Sequence, residues 1–172
     1  MAPIAEINDP LSTKGDPEGF PRNLLFELRP FQIVQTPNQV LMLYMFEKRF
    51  RVIWTDGRQL PKDPDPRWYG YSVGKWEDDY TFVVQSNGTD ERTWLDNAGS
   101  PHSAEMHVEE RYHRANMNTL ELTLTIDDPK AYTKPWVARD KLAMRLMPHD
   151  ADLMEMIPSA TEAAEYKKVF AK

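Results

Sequence analysis

The stretch SAEMHVEERYHRANMNTLELTLTI, residues 103–126, decides the fold. In its second half Leu120, Leu122, Leu124 and Ile126 alternate with Thr119, Glu121, Thr123 and Thr125. A period of two places the apolar set on one face of a β-strand and the polar set on the other. In its first half Ala104, Met106, Val108, Glu110 and Tyr112 share a face. Ser103, Glu105, His107, Glu109, Arg111 and His113 share the opposite one. Asn116-Met117-Asn118 supplies turn chemistry between the halves, so the stretch predicts an antiparallel hairpin buried on one side.

Strand patterns continue in both directions. Upstream, 31–35 ends at the turn cluster Thr36-Pro37-Asn38, and QVLMLYMFE (39–47) is apolar on both alternating faces. Lys48-Arg49 marks a hairpin tip, returned by 50–55, where Phe50, Val52 and Trp54 share a face. Asp56-Gly57 closes that strand. The segment QLPKDPDPRW (59–68), with Pro61, Pro64 and Pro66, reads as loop. The strand pattern resumes over 69–75 and 81–85, and Asn87-Gly88 ends it. Downstream, 137–147 is read as another strand, with helix as the alternative. Ser159-Ala160-Thr161-Glu162 is a capping-box sequence, followed by a stripe of Ala163, Tyr166, Val169 and Phe170, and predicts a C-terminal helix.

Pro3, Pro10, Pro17, Pro21 and Pro30 punctuate the first thirty residues. Proline removes backbone donors and biases its predecessor away from helix, so this segment is expected as an extended arm. The expected organisation is one domain: an N-terminal arm (1–30), a β-barrel domain (31–150) and a helical tail (151–172). Strands in meander order with a terminal helix predict a mainly β fold, an antiparallel up-and-down barrel. About eight strands leave room inside for side chains or one small ligand.

Composition narrows the functional classes. The chain has 172 residues, no cysteine, and 21 Lys plus Arg against 27 Asp plus Glu, a net charge of −6. Thiol nucleophiles, disulfides and Cys-ligated metals are excluded. The acidic balance gives no general attraction for nucleic acid. No stretch approaches the roughly 20 apolar residues of a membrane helix. The first twenty residues have neither a basic n-region nor an apolar h-region.

Three of the four histidines fall in 101–114. Glu110, set among apolar neighbours, is a candidate general acid or base. The structural alternative is an ion pair with an arginine such as Arg92 or Arg139. His102 follows Pro101 at a strand entrance, and Asp96 nearby could orient its imidazole. A metal site would gather His102, His107 and Glu105 or Glu109, but no tight ligand spacing is present, and neither metal nor cofactor is expected. Ser103 has no nucleophile elbow around it. Asp127-Asp128-Pro129 fits turn chemistry, and Asn87-Gly88-Thr89 fits a glycosylation sequon. The aromatic residues Trp68, Tyr69, Tyr71, Trp94 and Tyr112, together with Arg92, are the candidate ligand contacts.

The strings GFPR (19–22), WTDGR (54–58), LPKDPDPRWYGYSVGKWE (60–77), TWLD (93–96), PHS (101–103), ER (110–111) and TIDDPKAYTKPW (125–136) resemble a group of uncharacterised bacterial proteins. These are regarded as exported, with lipocalin-like (calycin-like) barrel character. The chain departs from their pattern at Leu60-Pro61 and Tyr71, where many relatives carry histidine, and Trp76 to Tyr80 is one residue longer. The resemblance implies a barrel and an exported mature protein, periplasmic or secreted, with a cytoplasmic protein as the alternative. It carries no activity.

Two functions are expected from these features. One is the binding of a small, largely apolar or aromatic ligand in a barrel cavity, lined by Trp, Tyr, Met and Phe, with Arg or His orienting a polar end. The other is a cofactor-independent lyase, isomerase or hydrolase using Glu110 or a His102–Asp96 pair.

Overall fold

The computed structural model describes residues 8–26, 28–157 and 159–170, without the side chains of Tyr166, Lys167 and Phe170. Eight strands form one curled sheet in sequence order: β1 (Phe31–Gln35), β2 (Gln39–Tyr44), β3 (Phe50–Trp54), β4 (Tyr71–Trp76), β5 (Thr81–Asn87), β6 (His107–Asn116), β7 (Thr119–Asp127) and β8 (Trp136–Arg145). The decisive hairpin pairs Val108 with Ile126, Glu110 with Leu124 and Tyr112 with Leu122. All six of these side chains are at most 3% exposed, so the period-two reading placed the inner face correctly.

Two features depart from the expected closed meander. β1 and β8 do not pair, so the sheet is a half-barrel. The step from β3 to β4 is parallel, through Trp54 opposite Val73. A parallel step needs a crossover of roughly a dozen residues or more, and the proline-rich segment 55–70 supplies it.

The segment before β1 holds two short helices, α1 (Pro10–Lys14) and α2 (Arg22–Leu25). Phe20 and Leu24, 0% and 1% exposed, belong to the same core cluster as Ile53, Leu122 and Ile126. Arg139 on β8 donates to the carbonyls of Leu24, Leu25 and Phe26, tying α2 to the edge strand. Gly19 permits this inward course: at φ +76° it lies so close to Thr93 that a Cβ would fall 2.3 Å from the threonine methyl.

The C-terminal helix α3 (Ala160–Phe170) starts as its sequence predicts. Glu162 Oε2 accepts from Ser159 N at 2.9 Å, and Ser159 Oγ accepts from Glu162 N at 3.2 Å. Ala163 is buried and Val169 is 64% exposed. The expected stripe positions Tyr166 and Phe170 lie outside the described side chains. No helix of the described residues is long and apolar enough to cross a membrane.

Candidate functional site

Glu110 points inward and is completely buried, yet its partner is neither Arg92 nor Arg139. Arg51 on β3 donates to Glu110 Oε1 at 2.9 Å and Oε2 at 2.5 Å. The same guanidinium donates to Ser72 Oγ on β4 at 3.0 Å and Ser86 Oγ on β5 at 2.7 Å. The Tyr112 hydroxyl donates to Glu110 Oε1 at 2.6 Å. Phe20 covers the cluster, with the Arg51 guanidinium carbon 3.9 Å from its ring centroid. Both carboxylate oxygens are occupied, and the cation is satisfied on every side that faces the sheet. Such a network holds a core together, and both charged partners are shielded from solvent, Glu110 at 0% and Arg51 at 2% exposure.

The other acid–base candidates do not meet Glu110 or each other. His102 Nε2 lies 2.7 Å from Thr93 Oγ1, and its Nδ1 lies 3.3 Å from the Ser103 carbonyl. Asp96 accepts from Ala98 N, Ser100 N and Ser100 Oγ, which makes it the anchor of its own loop. Ser103 donates from its amide and hydroxyl to Asp128, at 2.6 and 2.7 Å. Burial pushes the Asp128 carboxyl up, but these bonds and the amides of Ala131 and Lys130 outweigh it and leave the carboxyl below its ordinary value. Asn87 is buried and its side-chain amide donates to the Pro61 carbonyl, so the sequon is not presented to solvent.

The expected ligand contacts scatter. Tyr112 is consumed by the ion-pair network. Arg92 pairs with Asp90 at the surface and lies over the Trp68 ring, with 4.7 Å to its centroid. Tyr71 carries Arg67 on its ring. Tyr69 stacks on Tyr44 and donates to Glu47 at 3.2 Å, while Trp94 forms one wall of a groove beside α1 and α3.

A concavity of about 670 Å³ lies where the half-barrel fails to close. Phe31 and Ile33 of β1 form one side; Leu120 of β7 and Met144 of β8 form the other. Met144, Leu120 and Phe31 also pack on the core, so the groove opens directly off the inner face. Residues 146–153 cross its mouth, contributing Met147 and Leu153. This strap is held at both ends. Leu146 N donates to the Asn118 carbonyl at 2.9 Å; Lys48 Nζ donates to Leu153 O at 2.8 Å, and Glu47 N to Met156 O at 2.6 Å. Arg114, Arg145 and His149 stand on the walls against one carboxylate, Asp152. The sequence reading missed this groove because β1, β8 and the strap come together only when the sheet curls. Two apolar residues stand exposed on its lining, Met117 at 79% and Leu146 at 72%, an exposure that the folded protein alone reveals.

No family model, curated protein or solved structure matches the chain, so the site stands on its own geometry.

Proposed function

We propose that the protein binds a small, largely apolar ligand with an anionic end in the groove between β1 and β8. The observation that carries this is the groove itself: about 670 Å³, walled by Phe31, Ile33, Leu120, Met144, Met147 and Leu153, with two arginines and a histidine at its rim. Volumes of this order are typical of small-molecule sites, which are mainly apolar with a few polar groups that fix orientation. Methionine side chains adapt to irregular apolar shapes, which suits such a lining. The half-barrel is also compatible with the lipocalin-like character that the sequence resembles, and an exported binding protein is the setting we assign to it.

Native mass spectrometry of the protein from its source, followed by titration with medium-chain alkyl carboxylates, tests this. A copurified amphiphile, or carboxylate binding weakened about tenfold or more by Leu120→Gln, is the expected result. Binding that ignores both Leu120→Gln and Arg145→Ala would place the ligand elsewhere.

A further inference from the structure

A second, more polar recess lies under the β2–β3 turn. It has room, about 10 Å³, for one water-sized group, and its walls include Glu18, Asn23, Arg29, Tyr44, Phe46 and Tyr69. Asn23, on α2, is 8% exposed, and neither its amide nitrogen nor its amide oxygen has a hydrogen-bond partner. Its amide lies near the Tyr44 hydroxyl without reaching hydrogen-bond geometry; that hydroxyl also faces Arg51 and contacts Met42 Sδ at 3.5 Å. An amide buried with both ends unpaired is unfavourable, and an occupant of the recess would satisfy it.

The charges around the recess favour a neutral occupant. Arg22 is committed to Asp9 by bonds of 2.8 and 2.6 Å. Glu18 faces Arg22 and Arg29 as well as Glu47 and Asp9, and burial pushes its carboxyl up to about 7. Glu47 is also raised by burial, while the Glu18 amide, Arg49, Tyr69 and Arg22 act against that rise. Carboxyls and guanidinium groups already offset one another here, so a further charge would be desolvated without a dedicated partner. What remains open is one donor and one acceptor on Asn23, beside the Glu18 carboxyl. A hydroxyl, donor and acceptor in one heavy atom, fits both demand and volume.

The recess shares Arg29 and Phe46 with a neighbouring groove of about 420 Å³, whose apolar walls are Leu11, Phe26, Phe46, Trp94 and Ala163. We infer that this recess and groove together form a second binding site, for a neutral alcohol whose hydroxyl sits on Asn23 and Glu18 and whose compact apolar body lies against Phe46 and Trp94. It is separate from the groove between β1 and β8 and takes a ligand of different charge.

Calorimetric titration of the full chain with benzyl alcohol, benzylamine and benzoate tests this. The expected result is binding of the alcohol and not of benzylamine; any benzoate binding should be lost in Leu120→Gln, which assigns it to the groove between β1 and β8. Asn23→Leu, which removes the donor–acceptor pair, should abolish binding, and Glu18→Gln, which keeps both functions, should preserve it to within about threefold. If Asn23→Leu does not fold, the choice among the three ligands by the unmodified chain decides. Equal or tighter binding of benzylamine, or no binding of the alcohol because water alone fills the recess, overturns the proposal.

Discussion

Arg51 on β3 and Glu110 on β6 meet at 2.9 and 2.5 Å although two strands lie between them. Three strand spacings would separate them by about 14 Å in a flat sheet. The sheet's curl shortens that path, and Arg51 crosses it by lying over two small inward residues, Ser72 on β4 and Ser86 on β5, and bonding to both. The serine hydroxyls are themselves 3.0 Å apart. The pair therefore acts as a cross-tie on the curvature of the half-barrel.

Removing one partner strands the other. Arg51→Ala should lose about 3–5 kcal/mol, because it leaves a carboxylate buried without its counter-charge. A double change of Arg51→Met with Glu110→Leu should recover much of that. Chemical denaturation of the three proteins measures both; equal loss in the single and double variants would contradict the cross-tie.

The raised Glu18 carboxyl makes stability depend on pH in a definite direction. Its folded value, about 7, lies above its ordinary 4.5, so the folded state binds the proton more tightly. The contribution is complete below about 4.5 and is lost as pH rises to 7 and beyond. The full loss is about 3 kcal/mol by proton linkage. Glu18→Gln should flatten that slope and leave the protein more stable than the unmodified chain at alkaline pH. Denaturation midpoints across this range would show it.

Asp128 should behave oppositely. Burial raises its carboxyl, but the Ser103 and backbone bonds prevail and hold it below its ordinary 3.8. Its contribution is present above that value and lost as pH falls through the lower folded one. Ser103→Ala should cost about 1–3 kcal/mol at neutral pH and reduce the acid sensitivity. An unchanged acid limb in thermal melts would count against this account.

Gly74 on β4 is a packing glycine rather than a turn glycine. A Cβ there would lie 2.3 Å from the tip of the Phe82 ring and 2.8 Å from an Ile53 methyl. Gly74→Ala should cost about 1–3 kcal/mol through overpacking, and Gly74→Ala combined with Phe82→Leu should cost less than the two changes added together.

Much of the fold is legible in local pattern. TLELTLTI became β7 with the expected residues inward, and the capping box at Ser159 opens α3. Strand β3 shows where that legibility ends. Phe50, Val52 and Trp54 do share a face, but it is the outer one, and Phe50 is 64% exposed. The inner face carries Arg51 and Ile53. Apolarity alone would have turned the strand over; the waiting Glu110 and its serines make a charged residue the better inward choice.

The sequence by itself determined most of the strands, the faces of the β6–β7 hairpin, the start of α3 and the exclusion of cysteine chemistry, because each depends on residue type or on spacing of a few residues along one segment. Tertiary structure alone decided that Glu110 belongs to Arg51, that His102 bonds Thr93 while Asp96 bonds Ala98 and Ser100, and that the sheet stops short of closure. Those outcomes depend on curvature and on contacts between residues far apart in the chain. The two candidate grooves belong to the same class: each is bounded by segments far apart in the chain that become neighbours only in the folded protein.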